Sequence, residues 1–206
     1  MNEFTQRDPQ QAAFWNERFE RQFTPWDCGG VPLQLQQFLA SSARPMNTLI
    51  PGCGNGYEAA FLAQRGWPVT AIDFSPAAVA SARLVIGEWG LHVQQADFFS
   101  FEPETPPELI IERAFFCALP PPKREDIVQR WAALLAEGAL LAGYFFFEED
   151  DVASKKGPPF SIARATFLDM MAPSFELLDD QPASDSLPVF AGCERWMIWR
   201  RKPAVG

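Results

Sequence analysis

At 206 residues the chain has the length of one domain, and its 48% hydrophobic and 21% charged content is that of a globular protein needing no disulfide or metal staple. A formal net charge of −9 argues against nucleic-acid backbone binding as the main task. No apolar run reaches the roughly 18 residues of a membrane span, and the polar first ten residues do not read as a signal peptide, so a cytoplasmic protein is expected.

The first forty residues are polar and aromatic. Trp15 and Phe19 are four apart, so a helix places them on one face, with Phe14, Phe23 and Trp26 nearby. Pro25 and Pro32 interrupt the segment before a second short helix over residues 33–40. The simpler reading is a helix stapled to the core by these aromatics; the alternative is a lid over a ligand.

From Asn47 the pattern changes. Residues 47–51 form a short apolar strand running into Gly52-Cys53-Gly54-Asn55-Gly56, and residues 57–66 a helix that stops at a glycine. Residues 68–73 read as a second strand, ending in Asp73. Ser75 caps the next helix and Pro76 takes its first position, with the helix running to about Trp89. A third strand over 92–96 ends at Asp97-Phe98-Phe99. After a proline-rich loop, a fourth strand covers 109–116, a helix 123–137, and a fifth strand 139–147. The run 148–160 is a charged loop holding Lys155 and Lys156, and a helix follows to Ala172. Two last strands, at 175–179 and 194–201, have only a loop between them and are expected to pair as an antiparallel edge hairpin.

Alternating strands and helices predict an α/β domain over residues 1–206: a Rossmann-like, doubly wound, mostly parallel seven-stranded sheet with that edge hairpin and an N-terminal helical lid segment over 1–40.

In such sheets ligands sit at the carboxyl ends of the strands. Gly52, Gly54 and Gly56 lie at the first strand's end, where glycine lets backbone approach a ligand. Asp73 ends the second strand, where an acid accepts hydrogen bonds from both hydroxyls of a ribose. Asp97 and Phe98 end the third, and an acid beside a ring suits the amine and face of adenine; a turn or cap acid is the plainer role. No GKS or GKT follows the glycines, which excludes a P-loop, and Tyr57 replaces the third glycine of the dinucleotide fingerprint. The four cysteines, Cys28, Cys53, Cys117 and Cys193, lack CxxC spacing and His92 is the only histidine, so no zinc site is expected and the thiols are free.

The phrases Thr24-Pro25-Trp26-Asp27, Ile50-Pro51-Gly52-Cys53-Gly54-Asn55-Gly56-Tyr57, Ala71-Ile72-Asp73-Phe74-Ser75, Ala96-Asp97-Phe98-Phe99, Phe115-Phe116-Cys117-Ala118 and Gly157-Pro158-Pro159-Phe160 run in order along most of the chain. As a set they resemble the S-adenosylmethionine-dependent methyltransferases of the thiopurine methyltransferase superfamily, nearest to its halide and thiol methyltransferases. The resemblance implies that Trp15, Phe19 and Trp26 close over the cofactor, with Phe19 standing where relatives often carry Trp. It implies that the glycine loop lies against the methionine end, that Asp73 holds the ribose, and that Asp97 and Phe98 hold the adenine. Arg113 stands where thiopurine enzymes have an arginine near the substrate and halide enzymes usually a tyrosine. It is expected at the boundary of cofactor and acceptor, and is the one candidate catalytic residue.

The implied activity is methyl transfer from S-adenosylmethionine to a small thiol, halide, selenium or tellurium acceptor by a monomer with small-molecule partners only. The alternatives are a small-molecule O- or N-methyltransferase, a non-catalytic nucleotide-binding module, and an NAD(P) oxidoreductase; the last is disfavoured by the missing glycine and proton donor.

Overall fold

The computed structural model describes residues 3–148, 157–190 and 192–203. Seven strands form one sheet in the order β3-β2-β1-β4-β5-β7-β6. They are β1 (Thr48–Pro51), β2 (Val69–Asp73), β3 (Val93–Gln95), β4 (Leu109–Arg113), β5 (Leu140–Phe146), β6 (Phe175–Pro182) and β7 (Glu194–Arg201). The first five are parallel, and β7 runs antiparallel between β5 and the edge strand β6. The expected mostly parallel sheet with an antiparallel edge pair is therefore the observed architecture.

Neighbouring residues of the central strands face opposite sides, and both sides are covered. Ile110 and Leu141 pack with Trp131 of α5 (Arg124–Leu134) and Phe167 of α6 (Arg164–Met171). Ile111 and Ala142 pack with Leu35 of α2 (Leu33–Ser41), Leu62 of α3 (Tyr57–Ala63) and Val79 of α4 (Pro76–Ile86). This two-sided burial is why the strands read as continuous apolar runs. Among the described residues no helix is long and apolar enough to cross a membrane.

Several boundaries differ from the sequence expectation. The helix expected to reach Trp89 stops at Ile86, where Gly87 takes φ +58°, and β3 is only three residues long after a 3-10 turn. The fourth strand ends at Arg113 rather than Phe116. There the Glu112 carboxylate accepts the Phe115 and Phe116 N–H groups, each at 2.8 Å, and Ala114 adopts φ +56°. The strand expected over 175–179 extends to Pro182, with an irregularity between Leu177 and Asp179. The loop segment 149–156, with Lys155 and Lys156, lies outside the described residues.

Candidate active site

β1 and β4 are neighbours, but the chain leaves them toward opposite halves of the sheet, which makes the gap beyond their carboxyl ends the switch point of the fold. A cavity of about 680 Å³ opens there. It is lined by Gly52 and Gly54 after β1, Asp73 at the end of β2, Asp97 and Phe98 after β3, and Arg113 at the end of β4. The N-terminal Trp15, Phe19 and Trp26 also line it, so nine of the ten residues singled out in the sequence meet in one place. Gly56 is the exception. It does not line the cavity but packs against Ala82 and Ile86 of α4 at the start of α3.

Gly52 has φ +59°, and a Cβ on it would lie 2.6 Å from Cδ2 of Phe115. Any side chain there would collide with a ring that itself stands edge-on to Phe98 at 5.1 Å between centroids. The glycine thus permits both the turn and the aromatic wall. Asp73 is buried. Its Oδ1 accepts the Ser75 N–H at 2.9 Å and its Oδ2 the Gly54 N–H at 3.2 Å. Burial pushes its carboxyl up to about 6, against the pull of the Ser75, Gly54 and Phe74 amides. Asp97 is exposed at the rim, where its carboxylate accepts the Phe99 N–H at 3.0 Å, so it also shapes a turn.

Helix α1 (Ala12–Glu20) is both stapled to the core and a roof to the cavity. Its Asn16 side-chain carbonyl accepts the Ser75 hydroxyl at 2.7 Å and the Ala77 N–H at 3.3 Å, at the start of α4. On its other side Trp15 meets Trp26 edge-on at 5.4 Å, and Trp15 Nε1 donates to the Pro9 carbonyl at 2.8 Å. Asn55 ties the same segment to the body: its amide donates to Asp27 and its carbonyl accepts the Ser81 hydroxyl at 2.6 Å.

Arg113 projects under this roof. Its guanidinium lies 4.5 Å from the Tyr144 ring centre, and its three nitrogens are buried with no hydrogen-bond partner. Beside it, Glu112 is 1% exposed, and burial pushes its carboxyl up to about 8. Phe190, from the loop before β7, and Cys117 complete an apolar wall. Glu194 holds that loop by accepting from the Ser186 hydroxyl at 2.7 Å and the Leu187 N–H at 3.3 Å. Cys28, Cys53 and Cys117 line the cavity; burial raises the pKa of the Cys53 and Cys117 thiols, and partial desolvation that of the more exposed Cys28.

Several lining residues are not apparent in the sequence, among them Phe190 and Glu58. Glu58, in the first turn of α3, is 7% exposed and faces the cavity. Burial raises its pKa, while Arg113 draws it down. An acid in a first helical turn reads as a complement to the helix dipole, which hid this second use.

The sequence model described as thiopurine S-methyltransferase matches residues 10–202. The thiocyanate methyltransferase 1 of Arabidopsis thaliana is 27% identical over 194 residues, covering 91% of this chain and 84% of that protein. A probable thiol methyltransferase 2 from the same plant is 30% identical over 110 residues, covering 50% of this chain and 48% of its own length. Among solved structures, the 1,6-didemethyltoxoflavin-N1-methyltransferase of Burkholderia thailandensis superposes with a TM-score of 0.70 at 16% identity, covering 98% of this chain and 94% of that one. An N-methyltransferase of Bradyrhizobium japonicum in complex with S-adenosylhomocysteine gives 0.65 at 17% identity, covering 90% and 88%. The fold and the family match together define an S-adenosylmethionine-dependent methyltransferase. The chain belongs to the thiopurine S-methyltransferase family.

The cavity suits that cofactor by its donor set. Buried Asp73 has lone pairs to spare beyond its two amide donors, and Phe98 and Phe115 offer apolar ring surface to the cavity beside the glycine loop.

Proposed function

We propose that the cavity takes S-adenosylmethionine along the tips of β1, β2 and β3 and that the protein methylates a small, anionic or readily ionised thiol-type acceptor beside Arg113. Asp73 accepts the ribose hydroxyls, Asp97 and Phe98 receive the adenine, and Gly52 and Gly54 lie along the methionine end. Trp15, Phe19 and Trp26 cover the cofactor. The observation that carries the acceptor class is the Arg113 guanidinium: a permanent cation with three nitrogens free of partners, set among Phe115, Phe190 and Tyr144. The related thiocyanate and thiol methyltransferases support the same class.

When bound, the cofactor supplies a methyl group on a sulfonium, and the acceptor's sulfur forms a bond to that carbon as the carbon–sulfonium bond breaks. The protein's work is positioning. Arg113 stabilises the charge of an anionic nucleophile in a low-dielectric pocket, where a charge acts more strongly than in water. It stays protonated at neutral pH, so it orients and does not remove a proton. The aromatic roof excludes water, and aromatic faces next to a sulfonium contribute roughly 0.5–2 kcal/mol. A thiol with an ordinary pKa near 8.5 is a few per cent ionised at neutral pH, so it needs no dedicated base. Four free thiols fit a reducing compartment, and we place the enzyme in the cytoplasm as a monomer acting on small molecules.

The direct test is labelled-methyl transfer across thiocyanate, bisulfide, aromatic thiols, thiopurines, iodide, and O- and N-centred acceptors. Turnover is expected with the small sulfur anions. Transfer confined to O- or N-centres rejects the reading. Within it, Arg113→Met keeps much of the apolar stem and removes the charge. Turnover with thiocyanate is expected to fall at least about tenfold, while S-adenosylhomocysteine affinity at pH 8 stays within about threefold, under roughly 1 kcal/mol. If affinity falls and turnover at saturating cofactor does not, Arg113 belongs to the cofactor.

The raised carboxyl of Asp73 also sets a pH dependence. The ionised form that accepts from the ribose is present above about 6 and is lost as pH falls through that value. At pH 5 roughly a tenth of the carboxylate remains, so the S-adenosylhomocysteine dissociation constant should rise by up to about tenfold from pH 7.5. The dependence should shrink in Asp73→Asn, which cannot ionise at that position. Calorimetry showing a flat affinity from pH 7.5 to 5 removes the carboxylate from the ribose site.

A further inference from the structure

The positions of the lining residues follow an order. Asp97 and Phe98 stand at one end, Asp73 follows, and the Gly54 N–H bonded to Asp73 leads through the glycine loop to Glu58 and Arg113. That sequence of groups parallels adenine, ribose, sulfur and amino acid, and it assigns nothing yet to the last. At that last position Glu58 is more than nine-tenths buried, and among the described residues the only donor to its carboxylate is its own backbone N–H. Arg113 is close enough to favour the ionised form, yet its nitrogens are not bonded to it. The neighbouring Asp27 acts the other way, against ionisation.

A carboxylate buried in the wall of a cavity calls for a cation with N–H donors, because desolvation penalises an unpaired charge heavily. Of the positive groups on the cofactor, the sulfonium has no hydrogen to donate and the α-ammonium has three. We propose that Glu58 is a cofactor-binding residue that accepts the α-ammonium of the methionine end of S-adenosylmethionine. The inference rests on the cofactor placement proposed above. It makes Glu58 the group by which the site distinguishes a ligand bearing an amino acid from a bare adenosine thioether.

The test compares two ligands by calorimetry: S-adenosylhomocysteine, and 5′-methylthioadenosine, which keeps the adenosine and the thioether sulfur but lacks the amino-acid end. Glu58→Gln is nearly isosteric and removes the charge. It is expected to weaken S-adenosylhomocysteine at least about tenfold while leaving 5′-methylthioadenosine within about twofold. Binding of the second ligand reports at the same time that the variant is folded. If both ligands weaken alike, or neither changes, Glu58 does not receive the ammonium and the proposal is overturned. Asp73→Ala separates this failure from that of the cofactor placement. Equal weakening of both ligands there, with no selective effect in Glu58→Gln, overturns the ammonium site alone, whereas unchanged binding of both in Asp73→Ala overturns the placement on which it rests.

Discussion

Asp73→Ala is expected to bind S-adenosylhomocysteine at least about tenfold more weakly than the parent. A carboxylate accepting two ribose hydroxyls makes charge-assisted hydrogen bonds of roughly 1.5–3 kcal/mol each, so the loss of even one exceeds the 1.4 kcal/mol of a tenfold change. The substitution also takes acceptors from the Gly54 and Ser75 N–H groups. The glycine loop then loses one of its anchors, which adds to the effect on binding. A melting curve within a few degrees of the parent shows that the loss is local. An unchanged dissociation constant in a folded variant rejects Asp73 as the ribose acceptor.

Gly143→Ala is expected to be the most damaging single-methyl change in the sheet. Gly143 on β5 is paired in register with Glu112 on β4. A Cβ there would lie 2.2 Å from the Glu112 carbonyl oxygen and 2.7 Å from its Cβ. The nearest clash is with backbone, which cannot swing aside as a side chain can. Relief requires prising apart two central strands or expelling the Glu112 side chain, which shapes the turn carrying Phe115 and Phe116. Overpacking of a core usually costs about 1–3 kcal/mol, and a backbone collision belongs at or beyond the upper end. For a chain of this size that corresponds to a melting temperature lower by roughly 6–12 °C. Thermal denaturation followed by circular dichroism measures it. A variant melting within 1 °C of the parent means the strands move apart easily and the close approach matters little.

What the sequence reveals and conceals follows from the range over which each feature is determined. The glycine loop and Asp73 are legible because strand, turn and helix cap succeed one another locally, with Ser75 and Pro76 marking where the next helix begins. Gly143 is visible as a glycine within an apolar run, but the residue it makes room for depends on the β4–β5 register, thirty residues away in the chain. Spacing places Trp15 and Phe19 on one helix face; it says nothing of Asn16, whose bonds to Ser75 and Ala77 fix the helix against α4 and make staple and roof the same object. Glu58 is hidden for a similar reason. The charged groups that act on it, Asp27 of the N-terminal segment and Arg113 of β4, approach it only in the folded chain. Gly56 shows the reverse error: a glycine that completes a ligand-loop pattern but packs against a helix.

The three cysteine thiols around the cavity raise a question of chemical selectivity. A site that alkylates sulfur holds an electrophile next to its own sulfur atoms, and only the thiolate form of cysteine is an effective nucleophile toward it. Burial keeps Cys53 and Cys117 protonated, the nearby acids Asp73, Glu58, Glu112 and Glu194 push the same way, and partial desolvation raises the pKa of the more exposed Cys28 as well. In the function proposed above the acceptor, in contrast, arrives already ionised or ionises beside the Arg113 guanidinium. In the arrangement proposed above, the walls of the cavity are thereby passivated toward the reagent they would enclose, and turnover is expected to proceed without methylation of the enzyme's own cysteines.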